Sequence, residues 1–141
     1  MESIRINLIG GEDDEGGNLS YFEDAGACVV EFRYRGKEIK ESSSDYFGAF
    51  ERVRSVLEKE NLIPFCYGSS LNVYPSGMCR DMGAGLRAYK LEKGKKPVMS
   101  DLVDIFDAGH DVIPATVTKQ KEFYDKWLGL KKASNWKFWK K

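Results

Sequence analysis

The densest mixture of glycine, hydroxyl and charged side chains in this chain lies within residues 68–89. Arg80 stands beside Asp81, Arg87 follows, and Ser69, Ser70, Asn72, Tyr74 and Ser76 precede them. Two guanidinium groups can clamp a carboxylate or phosphate through paired N–H bonds. Loops between strands often bear such sites because a rigid sheet positions them. The plainer alternative, and the preferred one, is an internal Arg–Asp pair that holds an irregular loop shut. Gly83-Ala84-Gly85-Leu86-Arg87-Ala88 fits the glycine spacing of a dinucleotide fingerprint. That fingerprint needs a strand before it and a helix after it. The residues here suggest a loop before and a strand after, so tight turns are the better reading.

Other reactive side chains are isolated. His110, the one histidine, sits between Asp107 and Asp111 in the manner of a general base with an orienting carboxylate, but no nucleophile accompanies it. An exposed loop histidine is expected. Cys79 adjoins Arg80, which would lower its thiol pKa if the two were close. Cys28, Cys66 and Cys79 are odd in number and widely spaced, so a disulfide framework or a zinc site is not expected. Reduced, mostly buried thiols are. Glu12, Asp13, Asp14 and Glu15 lack the alternating ligand spacing of a calcium loop and read as a solvated turn. No catalytic residue, metal ligand or cofactor is assigned. The candidate binding residues are Arg80, Asp81, Arg87 and Tyr74, with Trp136 and Trp139 in the tail.

Residues 136–141 interleave Trp136, Phe138 and Trp139 with three lysines. Aromatic stacking with phosphate attraction holds single-stranded nucleic acid, and the same composition fits a membrane-surface anchor or a protein contact. The preferred reading folds both tryptophans back over an open sheet face. Charge is polarised along the chain. Residues 1–25 carry seven acids against Arg5, and residues 119–141 carry eight lysines against Glu122 and Asp125, although the chain as a whole is neutral.

Periodicity predicts the elements that must position these groups. Alternation predicts strands over 4–9, 28–34 and 37–40, with Arg35-Gly36 as a hairpin turn and residues 12–17 as a mobile loop. Tyr46, Phe50, Val53 and Leu57 recur at helical spacing, which predicts a helix capped by Ser43 or Ser44 and ended by Asn61. Strands are expected at 62–67, where Pro64 argues for a sheet edge, and at 71–74, 86–91 and 98–106; 75–85 reads as a turn and a structured loop. Thr116 should cap a last helix whose inward stripe is Val117, Gln120, Phe123, Tyr124, Trp127 and Leu128, with Gly129 just past its end. Hairpins rather than crossovers predict an α+β fold: a mostly antiparallel sheet of five to seven strands with two helices on one face. One domain over 1–132 and a basic aromatic tail over 133–141 follow.

At 141 residues and 42% hydrophobic, the chain can bury a core. The first residues show no basic segment leading into a long apolar run, and no apolar run is long enough to span a membrane. A cytoplasmic protein is expected. The stretch Tyr74-Pro75-Ser76-Gly77-Met78-Cys79-Arg80-Asp81-Met82-Gly83, then Gly85-Leu86-Arg87-Ala88-Tyr89, resembles a segment of a poorly characterised family of small bacterial proteins. So does the ending from Ala115-Thr116-Val117 through Phe123 to Trp127. In scale and style these are similar to immunity proteins encoded beside secreted toxins. The resemblance covers about the last half of the chain. It implies a cytoplasmic protein that neutralises a toxin domain by occluding its active site, and it brings no catalytic residues.

The leading expectation is therefore non-enzymatic protein binding. The first alternative is a small enzyme or ligand-binding protein with its site in the 68–89 loop. The second is nucleic-acid binding through the tail.

Overall fold

The computed structural model describes residues 3–133. The fold is α+β. Four antiparallel strands run in sequence: β1 (Ile4–Ile9), β2 (Gly16–Asp24), β3 (Ala27–Tyr34) and β4 (Lys37–Ser43). Helix α1 (Tyr46–Glu58) follows, and then the two-residue strand β5 (Ile63–Pro64). Together the strands form a curled sheet in the order β4-β3-β2-β1-β5. Pro64 lies on its edge strand, where a missing N–H costs no ladder bond. A second sheet holds β6 (Val73–Tyr74), β7 (Arg87–Lys90) and β8 (Leu102–Asp104), in that order. Helix α2 (Gly77–Gly83) lies between β6 and β7, and α3 (Val117–Ala133) ends the described chain.

The core forms where the α1 stripe meets the inner face of the large sheet. Phe47, Phe50, Val53 and Leu57 are fully buried against Ile6, Leu8, Leu19, Val30, Phe32 and Ile39. These sheet residues are brought together by register: Leu19 pairs with Phe32, and Phe32 with Ile39.

Strand β2 falls partly where a mobile loop was expected. Its first residues are Gly16 and Gly17, which pair with Asn7 and Ile6. A Cβ on Gly17 would come within 2.4 Å of the Phe32 ring. The aromatic ring occupies the space of the missing side chain, and glycine becomes the residue this strand requires. The turn that joins β2 to β3 uses Ala25 and Gly26, both at positive φ (50° and 85°). Arg35 and Gly36 repeat that geometry before β4, as expected. Paired positive φ values match the twist of the flanking strands.

Several local expectations need correction. Asp45, not Ser43 or Ser44, caps α1: its carboxylate accepts from Gly48 N at 2.7 Å, because Ser43 is still paired in β4. The helix ends at Glu58, and Asn61 then turns the chain at φ 60°. The expected strand over 98–106 shortens to Leu102–Asp104. Pro97 precedes a 3₁₀ turn over Met99–Asp101, and Asp101 accepts from Val98 N at 2.9 Å, which curls the backbone out of extension. Gly129 lies inside α3, whereas Thr116 caps that helix as expected, accepting from Lys119 N at 3.2 Å. Residues 75–85 contain α2, a helix with no buried residue and hence no apolar stripe to reveal it.

Arg54 and Gln120, both fully buried, join α1 to α3. Arg54 Nη1 donates to Gln120 Oε1 at 2.7 Å and to Gly68 O at 2.9 Å, while Nη2 donates to Ala115 O at 3.1 Å. Gln120 Nε2 lies within 3.0 Å of Gly68 O, Ser70 O and Val73 O. The Arg54 Nε atom has no partner among the described residues. Replacing Gln120 with Leu strips Arg54 of an acceptor and leaves buried carbonyls unpaired. Gln120→Leu should lower unfolding stability by about 2–4 kcal/mol in urea titration. A loss below about 0.5 kcal/mol would mean that the node is not a stabilising contact.

Candidate functional site

The residues 68–89 do not converge on one site. Arg80 points from α2 to the start of α1. Its Nη1 donates to Asp45 Oδ2 at 2.9 Å, and the guanidinium lies 5.1 Å from the Phe47 ring centre and 5.7 Å from that of Tyr74. Its acid is thus Asp45, 35 residues away, rather than the adjacent Asp81, which is exposed. Arg87 lies on the outer face of the small sheet, 63% exposed, and pairs across the strands with Asp104 at 3.4 Å. Trp136 and Trp139 lie outside the described residues.

Ser76 caps α2 by accepting from Cys79 N at 3.1 Å. Ala84 and Gly85 end it at φ 55° and 73°. This turn abuts α1, and Ala84 O accepts from Tyr46 N at 2.8 Å. A Cβ on Gly85 would lie 3.0 Å from Phe47 N. The glycine-spaced segment thus follows a helix and precedes strand β7, the reverse of a dinucleotide fold. A backbone carbonyl, not a phosphate, meets the helix N-terminus.

His110 is exposed, and the neighbouring Asp111 is committed elsewhere: it accepts from Tyr67 Oη at 2.7 Å and Lys90 Nζ at 3.2 Å. Cys28 and Cys66 are buried, and burial pushes the Cys66 thiol up to about 11. Cys79 is half-buried. Hydrogen bonds from Arg35 hold the Glu15 carboxyl down at about 2, so the acidic loop is tied to the β3–β4 turn. Among the described residues, no cluster of three or more His, Cys, Asp or Glu side chains is placed to hold a metal.

What residues 68–89 do build is one wall of an apolar groove of 410 Å³. Tyr74 on β6, Met78 on α2, Tyr89 on β7 and Pro97 on the following loop meet Tyr124 and Trp127 on α3. Tyr74 stacks on Tyr124 with ring centres 4.1 Å apart, and Tyr124 on Trp127 at 6.1 Å. Trp127 Nε1 donates to Glu92 O at 3.0 Å, which fastens the 91–97 loop against α3. Met78 lines the groove and is 71% exposed, and Met82, on the same helix, is 83% exposed; Val98 and Met99, which follow the Pro97 of the groove in sequence, are 56% and 74% exposed. Met78 and Met82 stand one helical turn apart on the same side of α2.

Of these residues, sequence reasoning singled out Tyr74 as a binding candidate and missed the methionines. Their signal was available, since Met78, Met82 and Met99 stand in otherwise polar or glycine-rich stretches. Methionine is an adaptable contact residue where a surface must fit a partner.

Behind the groove, Glu51 of α1 is half-buried near Arg80, Arg54, Asp45 and Lys121. Burial raises its carboxyl pKa against the pull of Arg80 and Arg54. A raised folded-state pKa means that this group favours the fold most when protonated and loses that contribution as pH rises through the folded value. Glu51→Gln should therefore be more stable than the parent at pH 7, with the difference closing below about pH 4.5. Equal stability at pH 7, measured by thermal melts across that range, would mean that attraction to the cations outweighs burial.

No protein-family model and no curated protein matches the sequence.

Proposed function

We propose that this protein acts by binding another protein through the face that holds the Tyr74–Tyr124 groove, without chemistry of its own. The supporting observation is an aromatic hollow lined by the exposed Met78, with the exposed Met82 one turn along the same helix. A patch of this kind is costly to leave in water and commonly marks a contact surface. The resemblance of residues 74–89 and 115–127 to small bacterial proteins, themselves similar in scale and style to immunity proteins, falls on the same elements. It makes a toxin domain the partner class and the bacterial cytoplasm the setting. The enzyme alternative loses support because Arg80 and Arg87 serve separate ion pairs, with Asp45 and Asp104. No helix among the described residues is long and apolar enough to cross a membrane.

The test is a tagged pull-down from nuclease-treated lysate of the producing cell, at physiological salt, with the parent chain and the double variant M78E/M82E. Helix α2 buries no residue, so the variant should melt within a few degrees of the parent. One stoichiometric protein, held by the parent and lost by the variant, is the expected result. A partner kept by both would move the interface off this face, and absence of any partner would count against binding as the function.

A further inference from the structure

The groove is apolar, but its surroundings are basic. Residues 90–101 carry Lys90, Lys93, Lys95 and Lys96 against Glu92 and Asp101. Lys96 lines the groove itself, and with Leu91 and Pro97 it is shared with an adjoining polar hollow lined by Lys90 and Lys95. Lys90 and Lys95 are paired, with Asp111 at 3.2 Å and Glu92 at 3.3 Å. Lys93 and Lys96 are exposed and make no ion pair among the described residues. Helix α3, whose Tyr124 and Trp127 form the other wall, carries Lys131 and Lys132 near its end, and Lys137, Lys140 and Lys141 follow it in sequence.

We infer that the groove takes an acidic segment of a partner protein, which seats large apolar side chains between Met78, Tyr89 and Pro97 and sets its carboxylates against Lys93 and Lys96. The inference rests on the protein-binding reading above and adds the chemistry of the partner. Opposite charge on the rim steers and orients such a segment, while the apolar floor holds it. Other occupants fit less well. A second copy docking on the same face would bring Lys93 and Lys96 of both copies together. The chain's own tail carries the same sign as the rim. A single-stranded nucleic acid needs open ring faces for base stacking. Here Trp127 is 6% exposed, and Tyr74 is 8% exposed with one face stacked on Tyr124.

The full chain should be panned against a phage-displayed library of random dodecapeptides at physiological ionic strength. The most enriched peptide is then made with a fluorescein label and titrated by fluorescence anisotropy. Expected are peptides rich in Asp or Glu around Trp, Phe, Leu or Met. Their binding should weaken about tenfold in K93E/K96E and in M78E, and with added salt. Neutral or basic peptides whose binding is lost in M78E would overturn the acidic partner while leaving the groove as a protein site. Acidic peptides indifferent to M78E would place the contact elsewhere, on the basic tail. Failure to enrich any peptide would overturn an extended segment as the occupant, and the M78E/M82E pull-down would still decide whether this face binds protein. Tighter binding of a labelled dT12 oligonucleotide than of any peptide would overturn the inference in favour of nucleic acid. Self-association abolished by K93E/K96E would overturn it in favour of a second copy.

Discussion

Arg54 is buried without an ion pair among the described residues, and its charge is met by Gly68 O, Ala115 O and Gln120 Oε1. Removing a guanidinium from water is costly, and burial works against its charge. Such a group persists only where its acceptors are held in place, and charge-assisted bonds to carbonyls are among the stronger ones. The constraint is mutual. Gln120 accepts from Arg54 and donates to the carbonyls of residues 68, 70 and 73, so one polar node sets α3, the 67–70 segment and the start of β6 against α1. Tyr124 and Trp127 follow Gln120 by one and two turns on the same helix face. The wall of the groove is therefore positioned by a buried hydrogen-bond network rather than by apolar packing alone.

A second constraint holds the opposite wall. Asp45 caps α1 and also receives Arg80, so one carboxylate serves the helix terminus and the ion pair. Ala84 O takes the Tyr46 N–H beside it. Helix α2 is too short to be stable by itself and buries no side chain. Its place depends on this polar attachment, which leaves Met78 and Met82 facing solvent. The arginine that reads as a ligand clamp in the sequence instead presents the apolar surface beside it.

Charge distribution ties these parts to the proposed role. The acidic loop is partly neutralised within the fold, where Glu15 meets Arg35. In the 91–97 loop, Lys93 and Lys96 make no ion pair among the described residues, and Lys96 lines the groove. An apolar floor with a rim of one sign gives both affinity and orientation in protein recognition.

Much of the secondary structure was legible in local spacing. The alternation in β1 and β3, the Arg35-Gly36 turn, the α1 stripe and the Thr116 cap each depend on residues within one or two turns of one another, so periodicity and capping chemistry sufficed. Strand β2 was partly hidden because the ring that fills the space above Gly17 belongs to Phe32, a strand away. Helix α2 was hidden because it has no buried stripe, and the division into two sheets followed from pairings no local pattern specifies. The site was least legible. By itself the sequence determined the α+β class, the main core-facing stripes and the supply of charge at each end. Only the tertiary structure decided that Arg80 pairs with Asp45, that Arg87 faces away, and that Tyr74, Tyr124 and Trp127 stack into one groove. Arg80 and Asp45 are 35 positions apart and Tyr74 and Tyr124 are 50 apart, so topology and burial, not sequence neighbours, choose the partner.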